Sequence, residues 1–187
     1  MQSSSALAAS QHRSRAETAK LESLPQARRA QLHNRDSAVR LWGGICNMEC
    51  TVRWHGDAGM AFVAETGSGH LLVMDGAPDG GGRDLAPRPL EAVLAGTGAC
   101  AAYDVVLILQ RGRQPVSGCS VKLEAQRAET EPKVFTRIHM QFTVSGKGLS
   151  EAAVARAIQL SHEKYCSASA MLAKTADITT GFDIVEV

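Results

Sequence analysis

The order of apolar and polar positions changes period along the chain, and each change marks an element. Met48-Glu49-Cys50-Thr51-Val52-Arg53-Trp54 alternates in the manner of a half-buried strand. Strands are accordingly expected at Cys50 to Trp54, Met60 to Glu65 and His70 to Met74, with His55-Gly56-Asp57 and Gly67-Ser68-Gly69 as the turns of a meander. Asp75 to Asp84 has no periodicity and five glycine or proline residues, which predicts a flexible loop. Its three consecutive glycines are followed by neither GKS/T nor GxGxxG, so a phosphate cradle is not indicated.

Pro87 and Pro89 then place a helix start near Leu90, because a proline in the first turn lacks only an N–H that would go unpaired anyway. From Leu90 to Leu109 the residues are apolar on nearly every face, which predicts a helix buried all round. Gly96 and Gly98 weaken such a helix, so a close neighbour is expected at that point, most simply a second central helix. Strict alternation returns in Ser120 to Arg127 and Arg137 to Val144, a hairpin with one wet face. Ser150 and Glu151 open a helix with the stripe Ala153, Val154, Ala157, Ile158 and Leu160, ending before Cys166. A short helix, Ser167 to Lys174, and a strand, Phe182 to Val187, complete the series.

Residues 1–47 show no comparable pattern. They are rich in Ser, Ala, Gln and Arg and are read as a disordered or weakly helical tail ahead of one domain spanning 48–187. Met48 is an alternative start. A targeting peptide is disfavoured by Glu17, Glu22 and Asp36. The tail holds seven Lys/Arg against three Asp/Glu, which leaves the rest of the chain with thirteen against sixteen. A mildly acidic domain is not what a nucleic-acid groove requires. No stretch of about 18 residues is uninterruptedly apolar. The expectation is therefore a cytoplasmic protein engaging neither nucleic acid nor membrane.

Candidate chemistry rests on the cysteines. Five of them (Cys46, Cys50, Cys100, Cys119, Cys166) show no CxxC spacing, and the six histidines no HExxH pairing, so neither a metal site nor a cofactor is expected. Cys100 lies midway along the apolar run and Cys166 just after the Ser150 helix. Thiols there either fill space or do redox chemistry. Cys46, Cys50 and Cys119 are read as structural or incidental. Asp104, one helical turn after Cys100, would raise a thiol pKa there, and His162 and Glu163 are candidate neighbours of Cys166.

The run Leu90-Glu91-Ala92-Val93-Leu94-Ala95-Gly96-Thr97-Gly98-Ala99-Cys100-Ala101-Ala102-Tyr103-Asp104-Val105-Val106, followed by His162-Glu163-Lys164-Tyr165-Cys166, resembles the OsmC/Ohr family (osmotically inducible protein C and organic hydroperoxide resistance protein). Within it the chain looks most like the YhfA-type branch, through Ser68-Gly69-His70, Met74-Asp75-Gly76, Tyr103-Asp104-Val105-Val106 and Glu163-Lys164-Tyr165-Cys166-Ser167. The resemblance implies an α+β fold: antiparallel sheets wrapped around two long central helices in an intertwined homodimer, with two interfacial sites. It implies a thiol peroxidase with a role in the oxidative stress response. Cys100 would attack an organic hydroperoxide, Cys166 would resolve the sulfenic acid as a disulfide, and a dithiol would regenerate the pair.

The chain departs from the family pattern at two positions. The family holds its thiolate with an early-strand arginine and that arginine with a glutamate ten residues before the first cysteine. Here Leu90 stands at the glutamate's place, and Met60 and Phe62 stand where the arginine is expected. Arg88, at the helix entry, is the substitute the sequence offers. Val93, Leu94, Thr97 and Met171 would line an apolar pocket suited to alkyl hydroperoxides. The alternatives are a module that binds a small apolar ligand and a redox sensor.

Overall fold

The computed structural model describes residues 48–187. The expected tail, with Cys46, lies outside them. Residues Thr51–Glu65 and Gly69–Val187 make one compact unit. Residues 48–50 and Thr66–Ser68 belong to a second, in which the Gly67 N–H donates to the Glu49 carbonyl at 2.8 Å.

The first sheet has the order β1-β2-β3, from β1 (Cys50–Trp54), β2 (Phe62–Thr66) and β3 (Leu71–Met74). β2 and β3 pair antiparallel with Phe62 opposite Met74. β2 starts two residues later than expected, because a turn at Gly56–Ala58 and the left-handed Gly59 (φ 75°) keep Met60 out of the ladder. The sheet leaves large apolar side chains in solvent: Val52, Trp54 (60% exposed), Leu71 (68%), Leu72 and Val73.

The loop after β3, expected to be flexible, is instead tied to a buried carboxylate. Asp75 accepts the N–H groups of Gly76 (2.7 Å), Arg83 (3.0 Å) and Leu85 (3.2 Å), and its own N–H donates to the Pro87 carbonyl. A Cβ at Gly82 would collide with the Gly76 carbonyl, so only glycine lets the loop double back. Polar groups that find their partners on one side chain are anchored whatever their composition suggests.

α1 (Pro89–Arg111) begins where the prolines place it, with the Arg88 backbone N–H donating to Glu91 Oε2 at 2.9 Å. β4 (Val116–Arg127) and β5 (Phe135–Gly146) form the hairpin, each longer than the alternation alone indicates. Phe135, Ile138, Met140, Phe142 and Val144 of β5 are buried, and Val121 and Leu123 of β4 pack against this core. α2 (Glu151–Leu160) is capped by Ser150 and runs into a wider turn of π type, Ser161–Tyr165; α3 (Ser167–Leu172) follows. β6 (Asp177–Glu186) then joins the second sheet, in the order β4-β5-β6.

β6 lies parallel to β5, with Ile138 opposite Ile178 and Phe142 opposite Phe182, so the expectation of purely antiparallel sheets is corrected. The reason is the connection. A parallel neighbour needs a long crossover, and α2 with α3 supplies it.

In the single chain α1 is buried along one stripe only. Thr97, Gly98, Ala101, Val105 and Leu109 form a stripe packed on the core, while Ala95, Gly96, Ala99 and Tyr103 (69% exposed) remain open. Within the single chain the two glycines differ. A Cβ on Gly98 would stand 2.5 Å from Leu123 Cδ1 of β4, so the close neighbour is a strand and not a helix; Gly96 has nothing within 4 Å. Among the described residues α1 is also the one helix long and apolar enough to cross a membrane, which the count of uninterrupted apolar residues had not indicated. Its stripe on the sheet is that of a core helix.

Asp75 titrates below the ordinary carboxylate range, led by the Leu85 N–H and helped by those of Arg83 and Gly76 and by the Arg83 charge, against the opposing effect of burial. A folded value below the unfolded one means stability that is present above about pH 4 and lost as the pH falls through the depressed value. Asp75→Asn should lower the urea midpoint at pH 7, and the gap to the unsubstituted protein should narrow below about pH 4. A gap independent of pH would refute this account of the loop.

Candidate functional site

Two elements build the site. α1 places Cys100 and Asp104 four residues apart, one turn above the other on one face. The π-type turn after α2 brings Cys166 to that face, with the Cys166 N–H closing the turn on the Ser161 carbonyl at 2.8 Å. The two sulfurs and a carboxylate oxygen of Asp104 all lie within 4.8 Å of one another. Cys100 is part-buried and Cys166 is buried, both as free thiols.

Hydroxyls hold the elements together. Ser161 Oγ, itself buried, reaches the Ala101 carbonyl at 3.2 Å and Asp104 Oδ2 at 3.3 Å, so one hydroxyl proton is shared between two acceptors on α1. Cys166 is the N-cap of α3, and its Sγ accepts the Ser169 N–H at 3.4 Å and the Ser169 Oγ–H at 3.1 Å. Ser161 and Ser169 were not singled out in the sequence. Ser169 was findable, since an N-cap side chain accepts from the third helical residue and cysteine here takes the place usual for serine. Ser161 was not, because its partner is 57 residues away.

The surroundings keep Cys100 protonated. Burial pushes its thiol up, and the neighbouring Cys166 and Asp104 push the same way; the Ala168 backbone N–H acts against them and does not prevail. No lysine or arginine among the described residues acts on it. Arg88 is not brought to the pair. It faces Asp84 across 3.8 Å, is half exposed, and sits twelve residues before Cys100, about 18 Å along the helix axis. Arg53 bonds Glu65 at 3.1 Å instead. Leu90 packs on the core where the family places its glutamate.

The other candidates separate. Thr97 is buried and donates to the Val93 carbonyl at 2.8 Å, and Leu94 packs on the core, while Val93 and Met171 (68% exposed) face solvent in the single chain. Glu163 accepts from Gln159 Nε2 at 2.9 Å, and the buried His162 Nδ1 has no hydrogen-bond partner among the described residues. Cys119 lies on β4 opposite Val144, its thiol pushed up by burial, and Cys50 is exposed.

Comparison with known proteins agrees with this architecture. The family model described as OsmC-like protein matches residues 80–181. Protein YhfA of Escherichia coli K12 is 47% identical over 138 residues, covering 74% of this chain and 98% of its own. A crystal structure of a hypothetical protein from Aquifex aeolicus VF5 is 25% identical with a TM-score of 0.66, covering 76% of this chain and 99% of that one. An organic hydroperoxide resistance protein OsmC from Legionella pneumophila shares the fold at 19% identity and a TM-score of 0.54, with coverage of 72% and 96%. With the family model spanning more than half its length and a relative nearly half identical to it, the chain belongs to the OsmC-like family.

Proposed function

We propose that this protein is a cysteine-dependent reductase of organic hydroperoxides that works as a homodimer. The observation that carries the reading is the meeting of Cys100 and Cys166, 66 residues apart in sequence, within 4.8 Å. The Cys100 thiolate attacks the outer peroxide oxygen, forming an S–O bond as the O–O bond breaks, and the alkoxide leaves as the alcohol after taking a proton. The Cys166 thiolate then displaces hydroxide from the sulfenic acid, giving a disulfide, and the hydroxide leaves as water with the proton that the Cys166 thiol gave up; a small dithiol returns both sulfurs to thiols and is itself oxidised to a disulfide. Closing the remaining gap to a bond of about 2.05 Å requires motion, and the short α3 behind Cys166 is the mobile partner of choice.

The dimer is supported by what one chain leaves bare: the stripe Ala95, Gly96, Ala99 and Tyr103 of α1, and the apolar side chains of β1 to β3. A second copy covers such surfaces and closes the side on which Val93 and Met171 lie open. Arg88 enters the reaction only through that second copy, since its own Cys100 is out of reach. Leu72→Asp should shift the mass in sedimentation equilibrium from twice the chain mass toward one. A variant as dimeric as the parent would remove this interface.

Reduced protein mixed with cumene hydroperoxide and a dithiol should turn over, and Cys100→Ser should lose at least about a hundredfold of that rate, the scale of a lost nucleophile. Equal rates would end the peroxidase reading.

A thiol held above its ordinary value of about 8.5 is active only as the pH rises. The rate of peroxide consumption should therefore climb through and beyond pH 9. Asp104→Asn removes one of the charges opposing the thiolate and should raise the rate at pH 7 by roughly two- to tenfold. A slower variant would give Asp104 a different role.

The same raised thiol favours a second reading, a pocket that binds a small apolar ligand and is merely lined by cysteines. Peroxide turnover at alkaline pH decides between them: a rate that rises as Cys100 ionises supports the reductase, and a dimer whose Cys100 alkylates at high pH but consumes no peroxide supports the pocket.

A further inference from the structure

We infer that Cys100 Sγ, Cys166 Sγ and the Asp104 carboxylate constitute a binding site for one zinc-class divalent cation per chain. The inference stands on the same two sulfurs as the proposed redox pair but not on peroxide turnover.

Ligand type is the first argument. Two thiolates and one carboxylate are a soft, anionic set that suits Zn2+ or Cd2+ and not Mg2+ or Ca2+, which take oxygen alone. Geometry is the second. Tetrahedral zinc with Zn–S bonds of about 2.3 Å sets its sulfurs about 3.8 Å apart. The three ligand atoms already lie within 4.8 Å, so a contraction of about 1 Å between the sulfurs and no more than about 1.3 Å to the carboxylate oxygen completes the set.

The surrounding hydrogen bonds are the third. Zinc ligands are held by outer partners that donate to their lone pairs. Here the Ser161 hydroxyl donates to Asp104 Oδ2, and the Ser169 N–H and hydroxyl donate to Cys166 Sγ. Each of these donors favours an anionic ligand.

Binding replaces two thiol protons by the metal, so affinity weakens in acid. Three protein ligands leave a fourth position for water or an added thiol. Metal and disulfide exclude each other, because each uses the bonding electrons of both sulfurs. Cysteine spacing concealed this site, since its ligands come from two helical segments 62 residues apart at their nearest, Asp104 and Cys166.

The test is anaerobic titration of the reduced full chain with Co2+, followed by back-titration with Zn2+. One equivalent should produce a thiolate-to-cobalt charge-transfer band with the intense visible bands of tetrahedral cobalt, and Zn2+ should abolish both. Asp104→Asn should weaken Co2+ binding at least about tenfold while retaining the charge-transfer band. Cys100→Ser should lose most of that band, and Cys119→Ser should keep it. Absence of a band at stoichiometric metal, or unchanged affinity in Asp104→Asn, overturns the site. A band that survives Cys100→Ser overturns it as well, and should that variant not fold, Asp104→Asn alone decides. Cobalt binding without peroxide turnover leaves this site standing and removes the reductase; turnover without cobalt binding does the reverse.

Discussion

The approach of α1 to the second sheet at Gly98 sets the positions on which the rest relies. With no side chain there, Leu123 of β4 lies against the helix backbone, closer than a Cβ would tolerate. Thr97, Ala101, Val105 and Leu109 then repeat every four residues along the same stripe, so the helix has one rotation about its axis in which they are all buried. That rotation fixes the directions of Cys100 and Asp104. A helix turned by one residue, about 100°, would aim both away from Cys166.

A second constraint is local and polar. The π-type turn after α2 contains one residue more than an α-helical turn would, and Ser161 at its start holds it to α1 through two acceptors. The extra residue puts Cys166 at the head of a new helix instead of in the middle of an old one. Its sulfur thereby becomes a cap, and its backbone stays close to the site while its side chain turns inward.

Much of this was legible before the structure. The alternation in β5, the prolines before α1 and the Ser150 cap are short-range signals, and β5 and α1 appear close to where they point, each with additions at the ends. What was hidden depends on distant residues. Asp75 reads as one more polar residue in a glycine-rich loop, and only its three N–H partners make it an anchor. The parallel placement of β6 follows from how far α2 and α3 carry the chain, which no alternation within β6 records. The bare stripe of α1 looks, in sequence, the same as its buried one. Cys100 and Cys166 came from the family pattern and Asp104 from its helical spacing to Cys100, whereas the Ser161 hydroxyl joined them only through the fold.

The role of Cys166 as a cap ties helix order to the oxidation state of sulfur. The Cys166 sulfur accepts the Ser169 amide and hydroxyl, and a new bond from it to a second atom would turn it away from them. With only six residues, α3 has little cooperativity to spare once its first turn loses an acceptor. A new bond at that sulfur would therefore loosen the segment carrying the exposed Met171, so that the protein surface there would register what happens at the buried thiol.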